Sequence, residues 1–172
     1  MNQTRVTKRP ESRELIIERL VSAPRERVWV AWTEPEHIAR WWGPFAWTTT
    51  VHEMEVRPGG RWRYTLAPDD GMGDTVRGLA VYDQVDAPTR LTYVDHFADS
   101  AWEPVTGSAV NTTVGLDGNN GTTKVTITTR FSRPEDLARA EQMGLVEGLG
   151  EALVRLGRFC GERESTQETK EK

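Results

Sequence analysis

Cysteine is nearly missing from this chain: Cys160 is the only one in 172 residues. No internal disulfide can staple the fold, and a reducing, cytoplasmic setting is the expectation. Cys160 itself reads as a small buried apolar residue near a helix end. Long apolar runs are also lacking. None approaches the roughly 20 residues of a membrane span, and Met1 to Ser12 has no apolar core of a secretory signal. Charge of one sign is not concentrated anywhere. The net charge is −4, with 22 basic and 26 acidic residues interspersed, which argues against nucleic acid and anionic membranes as partners.

Histidine is scarce as well. His37, His52 and His96 are the only three, none in an H-x-x-x-H or H-E-x-x-H pattern, so no metal site is expected. His96 follows Asp95, but neighbours on a strand point to opposite faces, which speaks against an acid–base pair. There is no G-x-S-x-G elbow, P-loop or dinucleotide fingerprint, and Pro58-Gly59-Gly60 reads as a hairpin turn. No cofactor and no catalytic set are assigned on this basis.

What is present is a globular composition, 37% hydrophobic and 28% charged, with seven tryptophans that can supply either a core or a binding surface. One domain is expected over residues 14–161. The polar stretches 1–13 and 162–172 have little to bury and read as disordered tails.

Glu14 to Ser22 reads as a first strand of ambiguous inward parity. Pro24 opens a short helix, and Thr33-Glu34-Pro35-Glu36 is a capping box that starts a second one, ended by Gly43-Pro44. Strands follow at Thr48–Val56, Arg61–Leu66, Asp74–Val85, Leu91–Phe97, Ala109–Leu116 and Thr122–Phe131. The third of the seven alternates Trp62, Tyr64 and Leu66 with Arg61, Arg63 and Thr65, a period of two with one apolar face. Asp117-Gly118-Asn119-Asn120-Gly121 is the clearest hairpin signal.

From Ser132 to Cys160 the apolar residues Leu145, Val146, Leu149, Ala152, Leu153, Leu156 and Phe159 recur at helical spacing. Ser132-Arg133-Pro134-Glu135 reads as a capping box for one long helix. Gly144, Gly148, Gly150 and Gly157 interrupt it, each costing about 1 kcal/mol against Ala, and imply thin places where something approaches closely. The fold class is therefore α+β: a curved antiparallel sheet of six to seven strands around a long C-terminal helix, with two short helices after the first strand.

Several blocks in order resemble a known family. They are Ser22-Ala23-Pro24-Arg25-Glu26-Arg27-Val28-Trp29, Ala31-Trp32-Thr33-Glu34-Pro35-Glu36-His37, Arg40-Trp41-Trp42-Gly43-Pro44, Arg57-Pro58-Gly59-Gly60-Arg61-Trp62 and Gly144-Leu145-Val146-Glu147-Gly148. Together they resemble the bacterial proteins related to the activator of the 90-kDa heat-shock protein ATPase, within the SRPBCC, START or Bet v 1-like superfamily. The resemblance runs from about Glu14 to Phe159. It implies the helix-grip fold and an apolar small molecule held between sheet and helix. One departure is Leu149, where an aromatic residue is common in the family.

The candidate ligand-binding residues on the sheet side are Trp41, Trp62, Tyr64, Tyr82, Tyr93, Phe97 and Trp102. Opposite them on the helix are Met143, Val146, Glu147 and Gly150. A mostly apolar pocket with a few convergent polar groups is what a small-molecule site requires. The expected function is non-catalytic binding of a lipid-like or polyketide-like molecule. The alternatives are a polyketide cyclase/aromatase-type enzyme using Arg63, Tyr64, Tyr93 or Glu147, and an interaction module acting on a chaperone. A homodimer also remains open.

Overall fold

The computed structural model describes the backbone of residues 3–170 and the side chains of residues 3–161. Eight strands form one antiparallel sheet: β1 (Arg5–Arg9), β2 (Glu14–Val21), β3 (Trp47–Met54), β4 (Arg61–Pro68), β5 (Val76–Asp86), β6 (Arg90–Phe97), β7 (Val110–Asn119) and β8 (Thr122–Arg130). Their order across the sheet is β1-β2-β8-β7-β6-β5-β4-β3. From β3 to β8 each strand pairs with its chain neighbour, as short turns dictate. β2 instead closes onto β8, with Glu14 opposite Arg130 and Val21 opposite Thr123. The β7–β8 hairpin turns through Asn120 and Gly121, between the paired Asn119 and Thr122.

Helices α1 (Arg25–Thr33) and α2 (Pro35–Ile38) follow β2. Helices α3 (Pro134–Gln142) and α4 (Leu145–Lys170) follow β8. Leu153, Leu156 and Cys160 of α4 are fully buried in the same cluster as Leu15, Ile17, Val28 and Ile127. The core therefore lies between one face of the sheet and the helices. That is the helix-grip architecture.

Several expectations need correcting. The sheet has eight strands because residues 5–9, expected in a disordered tail, pair with β2 from Arg5–Glu18 to Arg9–Glu14. A strand can be held by its backbone hydrogen bonds at a sheet edge even when its side chains are mostly exposed, as these are. At the other end α4 continues to Lys170 rather than stopping near Gly161; its Glu, Arg, Gln and Lys residues are good helix formers. Residues 1–2 and 171–172 lie outside the described residues.

The single long helix is two. Gly144 has φ +89°, left-handed backbone that separates α3 from α4. Neither capping box forms. The caps are Arg133 and Glu34, without side-chain hydrogen bonds, and the Thr33 hydroxyl donates back to the Trp29 carbonyl at 2.8 Å. Arg133 pairs with Asp136 at 3.1 Å in the first turn of α3.

The glycines of α4 are not pressed against close neighbours either. A Cβ on Gly148 would meet Pro44 at 3.6 Å, one on Gly150 would meet Thr4 at 3.8 Å, and one on Gly157 would meet nothing within 4 Å. Crowding is found at Gly43 instead. It has φ +101°, and a Cβ there would lie 2.8 Å from Leu66 and 3.3 Å from Thr49.

Candidate functional site

The inner face of the sheet is built by parity. On β4 Trp62 and Tyr64 turn inward and Arg61 and Arg63 outward, as the period-two pattern requires. The register then sets rows across three strands: Trp62 opposite Ala80, and Ala80 opposite Asp95. Tyr82 faces Tyr93 two register positions along, on the same face. Gly78 lies under the Tyr64 ring, where a Cβ would come within 2.1 Å of Cζ. Only glycine lets that ring lie flat on the sheet.

Five of the candidate residues meet there. Trp62 stacks on Tyr64 with centroids 4.4 Å apart, and Tyr93 sits edge-on to Trp62 at 5.9 Å and to Tyr82 at 6.0 Å. Trp42 links this group, at 5.2 Å from Trp62, to Trp41 at 5.7 Å and Trp32 at 5.6 Å. Such edge-to-face pairs add roughly 0.5–1.5 kcal/mol each beyond burial. The Trp41 indole donates to the Ala31 carbonyl at 2.9 Å. Val146 is half-buried and packs against the same core.

The other candidates lie elsewhere. Trp102 is on the outer face, with its ring 5.2 Å from the Arg63 guanidinium, 6.0 Å from that of Arg77 and 5.3 Å from the His52 ring. A residue on a loop has no parity to aim it, and cation–π attraction draws this one to the outward arginines. Phe97 is 51% exposed and Met143 71% exposed. Phe97 is the last residue of its strand, and Met143 precedes the turn at Gly144. Glu147 is exposed, because it falls on the side of α4 away from Leu153 and Leu156. Gly150 faces Thr4 rather than the aromatic rings.

Asp95 is the inward polar residue that sequence reasoning did not select. The Tyr64 hydroxyl donates to its carboxylate at 3.2 Å. No Lys, Arg or His side chain pairs with it among the described residues. Desolvation dominates and raises the carboxyl to about 7, against smaller opposing effects of the Tyr64 hydroxyl and the His96 backbone N–H. The tyrosines respond in turn. Burial first, and the Asp95 charge second, push Tyr64 and Tyr93 well above the ordinary phenol range, and raise Tyr82 for the same two reasons. The signal in the sequence was Asp95 at the same parity as Tyr93, two residues along one strand.

Arg155 was also missed. Its Nη1 is shared among the carbonyls of Trp42, Gly43 and Pro44 at 3.0–3.2 Å, and its Nη2 donates to that of Arg40 at 3.3 Å. One turn earlier, Glu151 accepts from the Phe45 N–H at 2.9 Å. Together they fasten the loop after α2 to α4. Two surface depressions are present, the second of which includes Tyr93 in its lining. One, of about 190 Å³, is beside Pro24 and the β7–β8 hairpin; the other, of about 320 Å³, is on the sheet around Thr92, Asn111 and Arg130. The space between sheet and helix is occupied largely by rings. Among the described residues no group of three His, Cys, Asp or Glu side chains is placed to hold a metal ion, and no helix is long and apolar enough to cross a membrane.

Residues 22–161 match the family model described as activator of Hsp90 ATPase homolog 1-like protein. No curated protein matches the chain. A solution structure of a protein from Arthrobacter aurescens is 31% identical, covers 92% of this chain and 91% of its own, and superposes with a TM-score of 0.86. A crystal structure of a Mycobacterium smegmatis protein is 26% identical, over 90% and 94% of the two chains, with a TM-score of 0.83. An AHSA1-like protein from Aeromonas hydrophila is 25% identical over 88% and 94%, with a TM-score of 0.64.

Proposed function

Since the chain belongs to the family of activator of Hsp90 ATPase homolog 1-like proteins, we propose that it holds an apolar or aromatic small molecule between α4 and the inner face of the sheet, without transforming it. The observation that carries this reading is the ring cluster of Trp42, Trp62, Tyr64, Tyr82 and Tyr93 around a single desolvated carboxyl. An ordinary core has no need of a carboxyl without a basic partner, whereas a binding site does need a few polar groups on apolar walls. The rings fill the space between α4 and the sheet, so a ligand enters by displacing the α3–α4 elbow. Met143 is exposed there and Leu145, Val146 and Leu149 are only half-buried.

The cyclase-type alternative is supported by the same Asp95–Tyr64 pair, a carboxyl that changes protonation near neutrality next to a phenol. One experiment separates the two. The purified protein is screened by thermal shift against fatty acids, isoprenoids, flavonoids and polyketide-like aromatics, and each hit is recovered and weighed after incubation. A concentration-dependent rise in melting temperature that Trp62→Ala abolishes, with the ligand recovered unchanged, supports binding alone. A changed mass that Asp95→Asn prevents supports the enzyme. No shift from any class, with nothing carried through purification in native mass spectrometry, removes the small-molecule reading and leaves a chaperone or other protein partner.

A further inference from the structure

The outer face of the sheet has a hollow of about 320 Å³, spanning β5 to β8 and the start of β2. Its floor is set by register. Thr92 lies opposite Thr113, and Thr113 opposite Thr128, so three half-buried threonines cross β6, β7 and β8 in one row. Two register positions along, on the same face, Asn111 lies opposite Arg130 and Arg130 opposite Glu14. The alternate residues Tyr93 and Thr112 are buried on the inner side, as strand parity requires. One wall is a β-bulge. The pairing shifts between Tyr82 and Val85, which sets Asp83 and Gln84 together against Thr92, and the Gln84 N–H donates to the Thr92 hydroxyl at 2.9 Å. A bulge bends its strand and re-aims the side chains on it. Arg90, at the start of β6, closes the other end.

The polar side chains around this hollow are without partners. Among the described residues the Thr113 and Thr128 hydroxyls, the Asn111 amide, Arg90 and Asp83 make no side-chain hydrogen bond or ion pair. Glu14 and Arg130 sit directly opposite each other, where opposite charges ordinarily pair, yet no ion pair joins them. Two guanidiniums and two carboxylates leave the hollow with no net charge, so neither a simple anion nor a simple cation is matched. Hydroxyls and amides both donate and accept, guanidiniums only donate and carboxylates only accept. The ligand that satisfies such a set is neutral and carries many groups that each donate and accept. We propose that this outer hollow binds a neutral saccharide, its hydroxyls lying over Thr92, Thr113 and Thr128 and held at the sides by Asn111, Arg130 and Asp83. The volume is at the lower end of the roughly 300–1,000 Å³ of small-molecule sites, room for one or two sugar rings. The sheet itself separates this site from the ring cluster, so its occupancy does not depend on a ligand on the inner face.

The probes are maltose, cellobiose, lactose and trehalose, with inorganic phosphate and glycine as charged controls, each titrated into the isotope-labelled full chain and read by amide chemical shifts. At least one disaccharide shifts the amides of Thr92, Asn111, Thr113 and Thr128 saturably, with a dissociation constant of roughly 10 mM or tighter, and added salt does not weaken it, as for a neutral ligand. Asn111→Ala and Arg130→Ala, both at exposed positions, each weaken binding by about threefold to tenfold, the scale of one lost hydrogen bond. Amide positions away from the hollow stay as in the parent chain. No shift from any of the four sugars, or shifts that rise linearly without saturating, overturns the site. Saturable shifts of the same amides by phosphate or glycine, tighter than by any disaccharide, overturn the neutral ligand. Sugar binding that both substitutions leave intact, or shifts confined to amides around Trp62 and Tyr82, overturns the assignment to this face.

Discussion

Burial holds the Asp95 carboxyl near 7, whereas in an unfolded chain an aspartate titrates at about 3.9. Below about pH 4 both states are protonated and the group contributes no difference. Between about 4 and 7 the native state keeps a proton that the unfolded state has lost, so stability falls as pH rises, and above 7 the full penalty applies. It is on the order of a few kcal/mol. Asp95→Asn should therefore raise the melting temperature at pH 8 and do so much less at pH 4. An equal gain at both values would mean that the carboxyl is not desolvated. Tyr64→Phe acts in the opposite sense on the same group. It removes the phenol that stabilises the carboxylate, and the titration seen by carbon-detected NMR should move upward. Next to this pair, Gly78→Ala would drive a methyl group into the buried Tyr64 ring. The expected cost is about 1–3 kcal/mol in urea unfolding, the usual penalty of overpacking.

Helix α4 shows how one element can both weaken and fasten a fold. Gly157 has open space around its Cβ position, so nothing offsets its helix cost. Gly157→Ala is expected to stabilise by about 0.5–1 kcal/mol, read as a shift in urea midpoint at constant slope. Arg155 does the reverse service. Without it the carbonyls of Trp42, Gly43 and Pro44 lose their donor in a part-buried site. Arg155→Ala should cost about 2 kcal/mol or more, and Arg155→Lys should recover only part, because a single ammonium cannot reach both the Trp42–Pro44 carbonyls met by Nη1 and the Arg40 carbonyl met by Nη2. Full recovery by lysine would show that charge alone matters. The short elements were legible up to their boundaries. Proline at the starts of α2 and α3 marked those starts, but the break at Gly144 was read as an interruption within one helix, and the expected capping hydroxyls turn elsewhere.

The whole sheet depends on an edge that its sequence did not advertise. β1 has one short apolar residue, Val6, and is 40% exposed there, yet it covers the backbone edge of β2. A variant lacking residues 1–9 should melt lower and self-associate, since an uncovered long edge pairs with other chains. Light scattering reads this directly, and an unchanged mass with an unchanged melting temperature would mean that β1 contributes nothing. The Lys8–Glu141 ion pair, which ties β1 to α3, is too exposed to hold the edge on its own.

Local chemistry in the sequence determined the α+β class, seven of the eight strands, the hairpin at Asn120-Gly121 and the inward face of β4. Each follows from a period or a turn residue that acts within a few positions of the chain. Only the tertiary structure decided which way Trp102 turns, that Arg155 serves the loop after α2, that residues 5–9 pair at all, and that β2 buries Leu15, Ile17 and Val21 rather than Ile16 and Leu20. The same holds for Asp95. Its parity with Tyr93 is written in the chain, but its desolvation comes from rings on β4 and β5 that reach it only across paired strands. Burial and long-range contact are properties of the assembled fold, and no window of neighbouring residues contains them.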